Sequence, residues 1–313
     1  MNQRNDEPEA MDLERADQEN GRSRTPISRT GGGFAPQAGC ATCASPAVDG
    51  PASAATGAPT FVYAIGRIEA RFPNLATEKE FTQAAGRAET KGKTDQETFQ
   101  AVLSSRENRY LARQVCWVFS VQGLETYLLA PRDPMDLDLL VAAIRPAASP
   151  NDIDLIVGIR GPMAPPETCN GLTVPIVIVD QVYSFDRATL IKAIPRPDAL
   201  PADRFEPAAE EVFNRVMQVA ANAGVDDDHR ALNYLAVRYP AIYSKAAEQF
   251  EQNFSLTAVE VQPSALSSTR NIVEVIFSYT NRASDFTEKL FARVDVTEEF
   301  PFMVTKLSPY YAR

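Results

Sequence analysis

The feature that most constrains the fold is an abrupt change of composition near residue 59. Residues 1–58 hold few large apolar side chains and are rich in Gly, Pro, Ser, Ala and charge. Such a segment cannot bury enough surface to offset chain entropy, so it is predicted to be a disordered tail. The fold must then be built from the rest of the 313-residue chain, which is enough for one large domain or two ordinary ones.

Charge and hydropathy argue against two classes of partner. The chain has 31 basic and 41 acidic residues, a net charge of −10, and 44% hydrophobic residues. A net acidic chain lacks the cations that non-specific nucleic-acid binding needs. No apolar run approaches the roughly 20 residues of a membrane span, and the N-terminus lacks the apolar core of a secretory signal. We therefore expect a cytoplasmic protein with a sizeable core and neither nucleic acid nor membrane as partner.

The first half carries mixed strand and helix signals. The alternating, β-branched run FVYAIGRIEAR predicts a strand, and Thr77 and Glu80 have the spacing of a capping box at a helix start. Two apolar runs flank Gln122-Gly123, which predicts a hairpin. Asp133 is a candidate N-cap of a short helix. Further elements are predicted in TDQETFQAVLSS (helix), NDIDLIVGIRG and VPIVIVDQVYSF (strands), and DRATLIKAI (helix).

The second half groups its helices before its strands. The Pro-rich run at 195–201 marks a boundary. A helix is predicted to end at Gly224, and a second helical stretch is broken by Pro240. Four strand candidates follow: FSLTAVEVQ, NIVEVIFSYTNR, EKLFARVDVTE and FPFMVTKL.

These patterns predict an α+β fold in two subdomains behind the tail of residues 1–58. Residues 59–197 are expected to form a mixed sheet with helices. Residues 203–313 are expected to form a helical pair plus an antiparallel β-meander, because grouped elements favour α+β over alternating α/β.

Four cysteines form the leading candidate site. Cys40 and Cys43 make a C-x2-C pair in the tail, and Cys116 and Cys169 lie in the body of the sequence. Four thiolates suit a tetrahedral structural zinc, whereas structural disulfides are not expected in a reducing cytoplasm. Two alternatives stay open: the cysteines are unrelated core and loop residues, or the C-x2-C pair is a redox site.

Other polar and aromatic clusters have simpler interpretations. His229, the only histidine, follows three aspartates that suit a helix N-terminus, and the chain has no G-x-S-x-G nucleophile motif. Asp133, Asp136 and Asp138 are expected to cap a helix and face solvent rather than act as paired acid–base groups. The aromatic C-terminal stretch, with Phe300, Phe302, Tyr310 and Tyr311, is expected to pack in its own sheet; the alternative is strand addition to a peptide.

Several long strings resemble a known family. They are FVYAIGRIEARFPNLATEKEFTQA, NRYLARQVCWVFSVQGLETYLL, GIRGPMAPPETCNGLTVPIVIVDQVYSFDR, HRALNYLAVRYPAIY and VDVTEEFPFMVTKLSPYY. Together they resemble the C-terminal region of the PatG cyanobactin maturation proteins, a region related to the end of PatA and of unknown function. The resemblance covers residues 60–313. The C-x2-C, the RQ-x-CW and the CNG strings look like the family's own pattern, which favours one zinc on Cys40, Cys43, Cys116 and Cys169.

The resemblance implies a setting more than a reaction. It implies a role in the biosynthesis of ribosomally synthesised, post-translationally modified peptides, without the family's protease domain. We expect a non-catalytic accessory or interaction domain whose partner is a precursor peptide or a maturation protease. The alternatives are a peptide-tailoring enzyme of unknown reaction and a C-x2-C redox or metal sensor.

Overall fold

A computed structural model describes residues 58–87, 92–147, 149–196, 201–218 and 222–311, without the side chains of 202–204. These residues belong to one compact unit, Thr56–Arg313. The predicted tail up to residue 57, including Cys40 and Cys43, lies outside the described residues.

The first five strands close into a barrel. They are β1 (Phe61–Arg71), β2 (Cys116–Val121), β3 (Leu124–Pro131), β4 (Asp152–Met163) and β5 (Pro175–Asp186). Their order around the barrel is β1-β2-β3-β5-β4, with β3 and β5 parallel and the other neighbours antiparallel. This order is the connectivity of OB-type barrels. Closure pairs each of these strands on both sides, so the barrel has no free edge.

Two glycines allow the barrel to close. β1 pairs with β4 through Gly66 and with β2 from Arg67 onward, so the strand changes partner at this point. A Cβ atom on Gly66 would lie 2.3 Å from the carbonyl oxygen of Ser120. A Cβ atom on Gly158 in β4 would lie 2.2 Å from the carbonyl oxygen of Ile178. Only glycine permits backbones to approach so closely.

Four of the described helices pack against the barrel; three follow β1 in the chain and precede β2, and the fourth lies in the connection from β3 to β4. They are α1 (Leu75–Arg87), α2 (Asp95–Ser104), α3 (Arg109–Gln114) and α4 (Leu137–Ala143). The predicted capping box of Thr77 and Glu80 is wrong. The side chain of Asn74 accepts the Thr77 N–H at 3.0 Å, and Thr77 is buried in the first turn of α1. The capping box belongs to Thr94 and Glu97, at the start of α2.

Two local predictions in this half are confirmed. Gln122 and Gly123 both have positive φ, 52° and 80°, as the two central residues of a type I′ hairpin require. The side chain of Asp133 accepts the Met135 N–H at 2.8 Å and caps a single 3-10 turn that leads into α4.

The second half supplies the predicted helices and meander. The helices are α5 (Arg187–Ala193), α6 (Ala202–Met217), α7 (Asp227–Arg238) and α8 (Ala241–Glu251), and Pro240 separates the last two. The strands are β6 (Phe254–Pro263), β7 (Ile272–Asn281), β8 (Thr287–Asp295) and β9 (Phe302–Pro309). They form an antiparallel sheet in the order β6-β7-β8-β9. The α+β class, the mixed first sheet and the meander are therefore confirmed.

Gly224 has a different role from the predicted one. α6 ends at Met217, so Gly224 does not terminate it. Gly224 has φ 69°, and its carbonyl accepts the Tyr63 N–H of β1 at 2.8 Å. A Cβ atom here would lie 2.4 Å from the Tyr63 carbonyl oxygen, so the close approach to β1 explains the glycine.

The helices of the second half pack on the barrel wall. Tyr63, Ile65, Leu155 and Val157 of the barrel share one apolar cluster with α6, α7, α8 and the meander. Within α7, the fully buried Asn233 donates to the Tyr63 carbonyl at 2.8 Å. The subdomain boundary between 197 and 203 stays a prediction. Among the described helices, none combines the length and apolar character needed to cross a bilayer.

Candidate functional site

The structure brings together two of the four predicted ligands. Cys116 is the first residue of β2, and Cys169 follows a 3-10 turn, Pro166–Thr168, in the connection from β4 to β5. Their Cα atoms are 5.9 Å apart and their sulfur atoms form a disulfide. Both residues are buried. The sequence argument did not expect a disulfide, but the Cα separation falls in the ordinary range for one.

The segment that carries Cys169 covers the outer side of β2. Its apolar residues pack on Val118 and Leu128 in a small core that contains both cysteines. Asn170 and Gly171 have positive φ, 45° and 89°, and turn the chain directly after Cys169. The loop is therefore anchored by packing as well as by sulfur.

A cavity of about 370 Å³ lies beside Cys169. Arg71, Phe72, Glu125 and Asn170 contribute to its walls. Arg71 forms ion pairs with Glu125 and with Glu69, the latter at 3.0 Å, and the hydrogen bond to Glu125 raises the pKa of Arg71.

Within the described residues, no cluster of three or more His, Cys, Asp or Glu side chains has metal-site geometry. Cys40 and Cys43 lie outside those residues, so the four-cysteine site stays a prediction. Zinc requires thiolate ligands, so Cys116 and Cys169 would fit it only after reduction of the disulfide that joins them here.

The other predicted clusters have structural environments. The Nδ1 atom of His229 lies 3.5 Å from the Oδ2 atom of Asp226, at the N-terminus of α7. Asp138 forms an ion pair with Arg109 of α3 at 2.5 Å. β9 pairs with β8 in its own sheet, as expected, although Phe300 and Phe302 remain about half exposed.

A groove that the sequence did not reveal lies where β2 starts and β3 ends. This barrel groove has a volume of about 570 Å³. Its walls include Ala112, Arg113, Trp117, Leu129, Pro131 and Leu137. The groove is mostly apolar and has one cationic side chain, a composition typical of binding sites for small ligands and peptide side chains.

A second unforeseen cluster joins the barrel to the β8–β9 connection. Arg132, after β3, contacts Asp180 of β5 at 2.6 Å and Glu299 at 4.0 Å. Burial, reinforced by the neighbouring Asp180, raises the pKa of Glu299 to about 7. Buried Arg230 donates to the carbonyl of Val296 at 2.6 Å and also to that of Glu298, which positions the segment carrying Glu299.

Comparison with known proteins gives one family and one solved structure. Residues 200–310 match the family described as PatG C-terminal. The solved structure is titled "PatG Domain of Unknown Function" and is 19% identical, with a TM-score of 0.66 over 80% of this chain and 98% of that chain. No curated protein gives a significant match.

Both matches are to PatG, but one is a match of sequence and the other a match of structure. The sequence match spans α6 to β9, whereas the structural match extends over most of the chain and shows the shared fold. The chain therefore carries a PatG C-terminal-like domain, of the type whose solved example has unknown function.

Proposed function

We propose that this protein is a non-catalytic accessory module of cytoplasmic modified-peptide biosynthesis of the cyanobactin type. The observation that carries the proposal is the likeness to the PatG domain of unknown function, which extends over 98% of that domain. The partner is a precursor peptide or a maturation protease.

The geometry supports binding as the mode of action. The barrel groove offers apolar contact surface and a single charged group, an arrangement that orients a ligand. The Asp180–Glu299 cluster is instead engaged with Arg132, and Arg230 ties its loop down through backbone carbonyls.

Two measurements test this role. Deletion of the gene in its host should abolish or sharply reduce the modified peptide products seen by mass spectrometry, while the unmodified precursor accumulates. Incubation with the purified protein should leave the mass of the precursor unchanged. The protein, immobilised on a column, should retain the precursor. A mass change produced by the protein alone would instead establish a peptide-tailoring enzyme, and unchanged peptide products in the deletion strain would refute the pathway role.

The four cysteines, Cys40, Cys43, Cys116 and Cys169, are proposed to hold one structural zinc. The positions of Cys116 and Cys169 support this, since reduction of their disulfide by a cellular dithiol would release two thiolates at one place. A bound zinc would act as a closed structural cross-link. Metal analysis should then find one zinc per chain, and either Cys43→Ala or Cys169→Ala should abolish it.

A second candidate is a thiol redox sensor, which the bond between Cys116 and Cys169 favours. The two roles separate by comparing the double variants Cys40→Ala/Cys43→Ala and Cys116→Ala/Cys169→Ala. A shared zinc site makes both variants lose zinc. A redox pair confined to the body makes only the second variant lose the stability difference between oxidised and reduced protein.

A further inference from the structure

The barrel groove presents apolar surface whose polar groups are already satisfied. Trp117, Leu129 and Leu137 are nearly buried and belong to the barrel core. The indole N–H of Trp117 donates to the carbonyl of Ala112 at 3.0 Å, so the ring offers only carbon surface to a ligand. The volume of about 570 Å³ lies within the usual range of ligand pockets, roughly 300–1,000 Å³. The groove is therefore suited to apolar side chains.

The charge available in the groove is positive. Arg113 is exposed on its wall, and no described residue forms an ion pair or hydrogen bond with its side chain. Of the acids along this part of the chain, Asp138 pairs with Arg109 on α3 and Asp133 accepts the Met135 N–H, whereas the side chain of Asp136 makes no hydrogen bond to the helix that it precedes. A guanidinium without a partner matches a carboxylate in a two-point, charge-assisted contact.

The surroundings of the groove favour a peptide over a nucleic acid. Tyr110, on α3, and Met135, next to Pro134 in the groove wall, are both exposed, and aromatic and methionine side chains are enriched at protein contacts. The net charge of −10 opposes a polyanion but permits one carboxylate at a local cation. The site thus combines an apolar cleft, an adaptable apolar margin and one cation.

We propose that the barrel groove binds the C-terminal end of a linear apolar peptide, with the terminal carboxylate on Arg113 and the last side chains against Trp117. This deepens the proposed function and rests on it, since it names the ligand class of a peptide-binding accessory module. The side chains supply contact area, and the carboxylate fixes direction along the groove.

Trp117 makes the proposal directly measurable because it is the sole tryptophan of the chain. The full-length protein is titrated with the peptide Ala-Val-Leu-Leu, once with a free carboxylate and once as the amide, while indole emission is followed. The acid should produce a saturable change in emission. The amide should bind about tenfold more weakly, as expected for loss of a charge-assisted contact.

Variants assign the effect to the groove. Arg113→Gln should weaken the acid about tenfold and leave the amide unchanged. Arg106→Gln, an exposed arginine just before α3, is the matched control and should bind like the parent protein. Ala130→Leu narrows the groove and should weaken both peptides, with far-UV circular dichroism confirming the fold.

Equal affinity for acid and amide, or an Arg113→Gln variant that binds the acid normally, would overturn the proposal. So would the absence of any emission change at millimolar peptide. These outcomes are independent of the gene-deletion test, because a groove that binds no peptide leaves a role in the pathway intact. Conversely, specific peptide binding with unchanged peptide products would retain the groove and reject the pathway.

Discussion

The barrel and the meander treat the edges of their sheets in opposite ways. The barrel closes on itself, and its tight points are made by Gly66 and Gly158, where backbones nearly touch. The meander stays open, with β6 and β9 at its edges. Its central strand β7 is buried along most of its length, although part of that strand is polar. Closure of the barrel depends on close backbone contact. The stability of the open sheet depends instead on the side chains that cover its faces.

Pairs of oppositely charged side chains cover part of the open sheet. Glu274 of β7 is buried and accepts hydrogen bonds from Arg293 of β8 at 2.7 Å and from Ser264 at 3.0 Å. Asp295 is almost fully buried and pairs with Arg270. Such groups tolerate burial because their hydrogen bonds are satisfied. The barrel should therefore lose stability when a side chain is added at a closing glycine. The meander should lose stability when a buried charge is removed.

The largest effect is expected from adding one carbon to the barrel. Gly158→Ala places a Cβ atom 2.2 Å from the Ile178 carbonyl oxygen, and this backbone atom cannot move aside without breaking the β4–β5 ladder. We expect a loss of about 4 kcal/mol in the free energy of unfolding, measured by urea denaturation. Gly86→Ala, on α1 with nothing within 4 Å, is the control and should stabilise by up to about 1 kcal/mol. A stable Gly158→Ala variant would contradict the view that backbone contact closes the barrel.

The contact between the barrel and helix α7, which packs between barrel and meander in one apolar cluster, is expected to come next. Asn233 donates to the Tyr63 carbonyl of β1 at 2.8 Å and exchanges hydrogen bonds with Asn222, all of them buried. Asn233→Ala leaves these groups unpaired and should cost about 3 kcal/mol in unfolding free energy. Asn214→Ala is the control, since the exposed Asn214 makes one hydrogen bond, with Arg187, and should change stability by less than about 0.5 kcal/mol. Equal effects of the two variants would show that Asn233 does not hold α7 to the barrel.

Removing a charge tests the meander. Burial opposes ionisation of Glu274, but hydrogen bonds from Arg293, Gln262 and Ser264 outweigh it and lower the pKa of this carboxyl group. Glu274→Gln should therefore cost about 2 kcal/mol at pH 7. Because the folded pKa is lowered, the parent's advantage is present above the ordinary glutamate pKa and should fade as the pH falls through the folded value.

The control for Glu274 is Glu260→Gln. Glu260 forms an exposed ion pair with Lys289 at 3.2 Å, which should contribute less than about 0.5 kcal/mol. Chemical denaturation of both variants between pH 3 and pH 7 checks the sign. A gap between parent and Glu274→Gln that widens with acid would contradict the assignment.

The smallest effect concerns Glu299, where barrel and meander connection meet. Its folded pKa is raised to about 7, so the folded state holds a proton that the unfolded chain releases near pH 4.5. Stability should therefore fall as the pH rises from about 4.5 to 7 and level off above it. Glu299→Gln should match the parent at pH 5 and be more stable by about 1 kcal/mol at pH 8, with solvent screening allowed for.

The neighbouring exposed Glu298 supplies the matched control, because Glu298→Gln should keep the parent's pH dependence. Asp180, Arg132 and Arg230 face Glu299, so ionisation of Glu299 changes its electrostatic interaction with all three. Identical pH profiles for the parent and Glu299→Gln would contradict the raised pKa of Glu299.

Local sequence signals predicted most elements and missed what distant residues decide. The Gln122-Gly123 hairpin, the Asp133 cap and the break at Pro240 were readable because each depends on a few adjacent residues. The error at Thr77 was instead local, because Asn74, three residues earlier, provides the cap. Gly224 was misassigned because its reason is a contact with Tyr63 in β1.

The candidate site was predictable only in part. The cysteine count and the family resemblance predicted one shared zinc site; the structure brings Cys116 and Cys169 together as a disulfide, and the zinc stays a prediction. The barrel groove had no sequence signal, because Arg113, Trp117 and Pro131 come from three elements and become one surface only when β2 pairs with β3. Asp180 and Glu299 are much farther apart in sequence and also meet only in the folded chain.

By itself the sequence determined the α+β class, the order of the elements and the mixed and meander sheets, because periodicity and turn chemistry act over short distances. Only the tertiary structure decided the parallel β3–β5 pairing, the closure of the barrel, the groove and the meeting of Cys116 with Cys169. These depend on which strands pair and in what register. That choice is set by packing and backbone contact between segments that no local pattern connects.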